Sequence, residues 1–213
     1  MRPRIGQLLL DFDGVLATHH RGPRLAALAA HAGVEVARVH EVLYASGLER
    51  RYDAGLVDTA GYLRALGDGL GRTVDEAAWL AARQAASVPD AGAQARIAAL
   101  PVDLPLGILT NNGPLIPELL PSLRERLRGK VLCSASLGGR KPDPALFQRA
   151  LARLGWEPHS TLFIDDLFVN VQGARRAGLQ ADSARDARAL GRVLRRFGLV
   201  AAGPGPAAAY PGR

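Results

Sequence analysis

With 213 residues, the chain has room for one large domain or for a medium domain carrying a small insert. Hydrophobic residues make up 48 % and aromatics only 5 %, so the core has to be built mainly from Leu, Val, Ile and Ala. The net charge of +7 is carried by scattered arginines with no basic block and no interleaved aromatics, which argues against a nucleic-acid surface; no segment is apolar enough over enough length to span a membrane, and the single Cys133 excludes an internal disulfide.

The first ten residues are basic and then apolar, but the apolar run is too short for a signal peptide and meets Asp11 at once, so a cytoplasmic protein is expected. Residues 5–10 read as a buried strand of a parallel sheet. A Gly/Pro/His loop is expected over 18–23. Residues 24–31, 36–45, 59–70 and 74–86 are Ala/Leu-rich at helical spacing and are interrupted by Gly33, Gly47, Gly55 and Gly71. Asp58 and Thr73 stand where helix N-caps belong, and Thr73 with Glu76 has the spacing of a capping box.

From residue 90 the pattern alternates. Helices are expected over 90–100, 115–127, 144–154, 168–177 and 184–197, and strands over 104–109, 131–134, 161–164 and 179–181. Pro117 and Pro121 should distort the second of these helices, whereas Pro144 sits where a helix start tolerates proline. Strand–helix alternation of this kind predicts an α/β fold, a Rossmann-like doubly wound parallel sheet with a small helical domain inserted after the first strand. The expected division is a discontinuous core of residues 1–17 and 88–200, a helical insert of 18–87, and a Pro/Gly-rich disordered tail of 201–213.

Four polar clusters each follow a predicted strand, and in open α/β sheets ligands bind beyond the carboxyl ends of the strands. Asp11 and Asp13, two apart, can face one crevice while Phe12 packs away. Thr110 and Asn111 offer hydroxyl and amide groups for phosphate oxygens, although an N-cap and turn would use the same residues. Lys141, one of two lysines, is flanked by Pro142 and Pro144. An ammonium fixed in this way beside a carboxylate can stabilise a transferring phosphoryl group. Asp165 and Asp166 are adjacent carboxylates at a strand end, costly without a cation and suited to Mg²⁺, although a helix N-terminus also favours Asp.

Taken in order, Asp11-x-Asp13-Gly14-Val15, Thr110-Asn111, Lys141-Pro142-Asp143 and Asp165-Asp166 resemble the four motifs of the haloacid dehalogenase-like superfamily. The run from Arg140 to Phe147, and Phe163-Ile164-Asp165-Asp166 followed by Asn170, Ala174, Arg175, Ala177 and Gly178, resemble the branch with a helical cap after the first motif. The resemblance covers about residues 5–198. It implies that Asp11 is the nucleophile that forms an aspartyl-phosphate, and that Asp13 is the general acid and base. It implies phosphate binding by Thr110, Asn111 and Lys141, and a Mg²⁺ ion held by Asp11, the Asp13 backbone carbonyl and Asp166, with Asp165 assisting. The dehalogenase members lack the carboxylate at the position of Asp13, so its presence favours phosphate chemistry. Leu167 and the Pro-rich stretch 114–121 depart from the usual pattern.

The implied function is a Mg²⁺-dependent phosphomonoesterase acting on a small phosphorylated metabolite, a sugar phosphate or nucleotide. A phosphomutase and a catalytically silent binding protein on the same scaffold are the alternatives. A monomer or homodimer is expected, with neither nucleic acid nor membrane as partner. Tyr44, Arg50, Arg51 and Tyr52 are candidate cap contacts to the leaving group, where an arginine pair could meet a second anion; surface charge and core tyrosine are the plainer alternative. The segment Tyr52-Asp53-Ala54-Gly55-Leu56-Val57 resembles a turn of sugar-phosphate phosphatases in this branch. His19 and His20 either line the entrance or form an exposed linker. Trp79 and Trp156 read as packing residues, and Cys133 as a buried structural thiol.

Overall fold

The computed structural model describes residues 4–116 and 130–200. Five parallel strands form the central sheet in the order β5-β4-β1-β6-β7: β1 (Gln7–Leu10), β4 (Leu106–Thr110), β5 (Val131–Cys133), β6 (Thr161–Asp165) and β7 (Gln180–Ser183). The order reverses at β1, which pairs with β4 on one side and β6 on the other. This is the switch point at which a doubly wound sheet opens a crevice.

The continuous apolar strands follow from this position, because a central parallel strand is buried on both faces. Leu8 and Leu10 point into one layer, with Ile97, Leu190, Val193 and Leu194 from α6 (Ala91–Ala98) and α9 (Ala187–Arg196). Leu9 points into the other, with Leu146, Phe147, Val171 and Ala174 from α7 (Pro144–Leu154) and α8 (Phe168–Arg176). Leu8, Leu9 and Leu10 are fully buried. Truncating any of them to Ala should cost about 2–5 kcal/mol.

Between β1 and β4 the chain leaves the sheet through β2 (Ala17–His19) and returns through β3 (Ser87–Pro89), and these two strands pair antiparallel. Residues 18–23 are therefore not the expected loop: His19 ends a strand and α1 (Arg21–Ala32) begins two residues later. The pairing partner lies almost seventy residues away, beyond the reach of local pattern. Between the two strands lie α1, α2 (Val36–His40), α3 (Leu48–Asp53), α4 (Thr59–Leu70) and α5 (Glu76–Ala86). The helix expected over 36–45 widens into a π-turn at Glu41–Ala45, and α3 was not anticipated because Gly47 and Gly55 leave it less than two turns. Asp58 caps α4 by accepting from the Gly61 N–H. The start of α5 differs from expectation, since Asp75 and not Thr73 accepts from the first turn, at Ala78. A carboxylate caps at least as well as a hydroxyl, and Asp75 is two residues nearer the apolar face.

The helices enclose a core of their own, including Leu28, Leu43, Tyr62, Leu66 and Trp79. Inside it lies a polar network. Arg24, 2 % exposed, forks onto Glu49 at 2.5 and 3.1 Å. Tyr62 donates to Glu49 at 2.6 Å, and the Trp79 indole donates to the Tyr62 hydroxyl at 3.2 Å. Each of these side chains thereby has a partner, with Arg24 Nε alone in the network buried without one among the described residues.

The helical segment meets the sheet layer through α3. The Tyr52 ring lies so close to Gly113 that no side chain could stand there. Ser134 Oγ donates to the Asp53 carbonyl at 2.5 Å, and Arg140 pairs with the Asp53 carboxylate at 3.3 Å. No helix among the described residues is long and apolar enough to cross a membrane. The helix expected over 115–127 lies mostly, and the tail of 201–213 wholly, outside the described residues.

Candidate active site

Because β1 is flanked by β4 and β6, the residues at the three strand ends converge. Asp11 follows β1, Thr110 ends β4 and Asp165 ends β6. The Asp11 N–H donates to the Ile164 carbonyl, which ties the residue to the neighbouring strand. Its carboxylate, nearly buried, accepts from the Phe12 N–H at 2.7 Å and from Lys141 Nζ at 2.8 Å, both on Oδ1. Oδ2 takes part in neither contact. Burial, opposed by Lys141 and reinforced by Asp165, pushes the Asp11 carboxyl well up.

Lys141 is buried between two carboxylates, with Nζ 2.7 Å from Asp165 Oδ2 as well as 2.8 Å from Asp11 Oδ1. Burial alone would lower its pKa, but the two anions outweigh burial and raise it. Asp165 is secured further by Asn170 Nδ2 at 3.0 and 3.1 Å and by the Leu167 N–H at 2.9 Å. Despite burial, Lys141 and these donors hold its carboxyl below the usual range. Asp165 therefore acts chiefly on the lysine. Asn111 does likewise: its amide accepts from the Lys141 N–H at 2.8 Å and donates to the Lys141 carbonyl at 3.0 Å. Both ends of the side-chain amide are engaged in positioning that loop.

Asp13 turns toward the helical segment. Its Oδ2 accepts from Arg83 Nη2 at 2.5 Å and from Asn112 Nδ2 at 3.1 Å. Asn112 also donates to Thr110 Oγ1 at 2.7 Å, so the hydroxyl on β4 and the carboxylate after β1 share one amide. Burial would raise the Asp13 carboxyl, but Arg83 and Asn112 outweigh it and hold it low. Asp13 Oδ1 is buried without a hydrogen-bond partner among the described residues. Sequence reasoning singled out neither Arg83 nor Asn112. Asn112 sat in view beside Thr110, but Arg83 lay in the middle of a helical pattern seventy residues from its partner. Arg83, 2 % exposed, also approaches His19 Nδ1 at 2.7 Å and Ser87 Oγ at 2.5 Å. Burial, with Arg83 adjacent, lowers His19 to about 4, so it faces the guanidinium as a neutral ring.

Asp11, Asp165 and Asp166 each offer a carboxylate oxygen within 4.8 Å of the others. Gly14, at φ 85°, makes room for the Asp166 carboxylate, which occupies the place a Cβ would take. An all-oxygen, acidic donor set suits a small hard cation, and three clustered carboxylates facing one lysine retain negative charge for it. Asp13 adds no carboxylate oxygen to this group, because its side chain is held by Arg83. A cleft of about 840 Å³ opens over these residues, with Asp11, Thr110, Lys141 and Asp166 on its walls and His20 at its margin.

Of the expected cap contacts, Tyr44 and Arg50 line a second, adjoining chamber. Arg51 does not: it lies beside Arg38 and Glu41 at a separate groove. Nor does Tyr52, which is buried, stacked on Tyr62 at 4.0 Å, with its hydroxyl against Thr59. Cys133 is buried and its thiol is pushed up to about 12, first by burial, which makes it inert.

A lysine clamped between carboxylates in a switch-point crevice places a charged, built site at the carboxyl edge of an α/β sheet. The family model described as haloacid dehalogenase-like hydrolase matches residues 7–178, and the chain belongs to that family. It is 36 % identical over 110 residues to a phosphatase of Mycobacterium tuberculosis, an alignment covering 48 % of this chain and 51 % of that protein. The chain thus spans about half the length of that curated relative. Among solved structures, a predicted HAD-like family hydrolase from Porphyromonas gingivalis is 26 % identical with a TM-score of 0.74, covering 91 % of this chain and 99 % of the other. A HAD family enzyme from Bacteroides thetaiotaomicron, solved with magnesium and inorganic phosphate, shares the fold at 20 % identity and a TM-score of 0.71, covering 84 % and 93 %.

Proposed function

We propose that this hydrolase is a Mg²⁺-dependent phosphomonoesterase acting on a small phosphorylated metabolite through Asp11. The observation that carries the reading is Lys141 clamped between Asp11 and Asp165 beside a separately held Asp13. Two separately held carboxylates supply the nucleophile and the acid–base partner. From the protein's own groups alone Asp11 is the raised one and Asp13 the lowered one, so the reading requires the bound cation to ionise Asp11 and the bound substrate to let Asp13 carry a proton. The phosphatase relative, although matched over half its length, points the same way.

In this reading Asp11 Oδ2 attacks phosphorus. A P–O(Asp11) bond forms as the P–O(ester) bond breaks, and the leaving oxygen takes a proton from Asp13. Water then attacks the aspartyl-phosphate, Asp13 accepts its proton, and phosphate departs as the Asp11 carboxylate is restored. Lys141 fixes Oδ1 and offsets charge on the transferring group. Thr110 lies on the phosphate wall, and Arg83 and Asn112 aim Asp13. Asp11, Asp166 and the Asp13 backbone carbonyl would hold Mg²⁺, with Asp165 behind them; the ion would screen anionic nucleophile from anionic substrate. Residues 18–87 serve as a cap on a core formed by 1–17 and 88–200.

The test is phosphate release from an aryl phosphate with Mg²⁺ and with EDTA, in the wild type and in Asp11→Asn. Release that needs Mg²⁺ and vanishes in the variant supports the mechanism. Substantial turnover by Asp11→Asn would sink it.

A further inference from the structure

Past Asp13, the cleft continues between α1, α3 and α5 into the chamber of about 290 Å³. Its walls are built from charge. Three arginines there already face a carboxylate: Arg24 on Glu49 at 2.5 Å, Arg83 on Asp13 at 2.5 Å and Arg140 on Asp53 at 3.3 Å. Two more, Arg21 and Arg50, also line the chamber, and neither has a carboxylate partner among the described residues. Arg21 lies over the Tyr44 ring, 5.0 Å from its centroid, which directs a cation across the chamber wall. The Arg140 Nε is buried with no hydrogen-bond partner among the described residues. Burial, with Glu49 beside it, moves the Asp53 carboxyl up to about 8, which leaves Arg140 incompletely neutralised near pH 7.

The chamber therefore holds an excess of guanidinium over carboxylate, at the position where a leaving group bonded to phosphorus above Asp11 would extend past Asp13. Walls of one sign concentrate an oppositely charged ligand, and guanidinium forks match carboxylate and phosphate geometry. The apolar lining is limited to Leu43 and Tyr44, and the Arg21 guanidinium covers one face of that ring, so no aromatic slot for a nucleobase is formed. A volume of about 290 Å³ is at the low end of ligand pockets and fits a short polar chain.

On the reading of the site as a phosphatase, we propose that the leaving group of the substrate carries a second anionic group, a carboxylate or a phosphate, received by Arg21 and Arg50 with Arg140 beside them. The expectation of an arginine pair at Arg50 and Arg51 is thereby redrawn, since Arg51 lies elsewhere.

The experiment compares kcat/KM for three phosphomonoesters of one length: 3-hydroxypropyl phosphate, 3-phosphonooxypropanoate and propane-1,3-diyl bisphosphate. An aryl phosphate is included as a control for phosphatase activity itself. Charge-assisted contacts of this kind make the anion-ended compounds better by about tenfold or more. The anion giving the larger ratio identifies the group. Arg50→Ala and Arg21→Ala should each reduce that ratio several-fold, Arg50→Lys should restore part of it, and raised salt should shrink it. Aryl phosphate turnover with equal rates on all three propyl compounds, or a ratio unmoved by both alanine variants, overturns the inference and leaves the phosphatase reading standing. Failure to hydrolyse any of the four overturns both.

Discussion

Lys141→Met replaces a buried ammonium by an apolar chain of similar reach and strands two carboxylates. The nitrogen lies 2.8 Å from Asp11 Oδ1 and 2.7 Å from Asp165 Oδ2, with the side chain 1 % exposed. At an effective dielectric constant of about 20, each contact is worth roughly 6 kcal/mol of attraction, most of which offsets the desolvation of the three groups. Removing one member of such a buried cluster costs about 3–5 kcal/mol, and two stranded anions place this case toward the upper end. Equilibrium urea unfolding near neutral pH, with EDTA present, reads that loss. The sign of the pH dependence provides an independent check. In the wild type Lys141 holds Asp165 below its ordinary value, so that contribution is present above the unfolded pKa and lost as pH falls. In Lys141→Met Asp165 is raised instead and Asp11, already high, is raised further, so the variant should gain stability relative to wild type as pH falls. Adding Asp165→Asn should return part of the loss. A Lys141→Met protein within about 1 kcal/mol of wild type, or one whose deficit grows toward low pH, would refute the charge accounting.

Two further predictions follow from buried charge and close approach. Asp53, raised to about 8, takes up a proton on folding and holds it across the neutral range, so stability falls as pH climbs from the unfolded carboxylate value through 8. Asp53→Asn should flatten that slope, gaining at most about 4 kcal/mol on wild type between roughly pH 5 and 8 in thermal or urea unfolding, and parallel curves would dismiss the assignment. Gly14→Ala places a Cβ where the Asp166 carboxylate lies and imposes a left-handed backbone on alanine. It should cost about 1–3 kcal/mol and weaken the Mg²⁺ dependence of turnover, with an unchanged Mg²⁺ titration counting against Asp166 as a ligand.

The sheet was legible because its strands are buried on both faces and read as short apolar runs ended by polar turns. Asp11, Thr110 and Asp165 sit at those ends, so finding the strands was nearly the same as finding the candidate site. Lys141 announced itself as one of two lysines between prolines. What escaped were contacts whose partners are far apart in sequence and whose residue type is common. The Asn111 side chain engages the backbone of Lys141, a contact set by two loops meeting. The β2–β3 pair is three residues long on each side, too short for alternation to show. Arg83 is one arginine among many in a helix whose periodicity marked it as ordinary.

Arg83 also changes how the insert relates to the chemistry. It comes from α5, yet its guanidinium closes on Asp13 Oδ2 and its other nitrogen spans to His19 and Ser87, on the two strands that carry the chain into and out of the helices. One side chain thus links the Asp13 carboxylate to both connections at once. A buried, charged guanidinium is tolerated only where its partners hold position, so displacement of the helices would strip Asp13 of its counter-charge and leave Arg83 unpaired in the same movement. The helical segment is therefore part of the charge balance of Asp13 as well as a wall of the chamber beside it. Under the proposed function, substrate selection by Arg21 and Arg50 and protonation of the leaving oxygen by Asp13 would both depend on one placement of α1, α3 and α5.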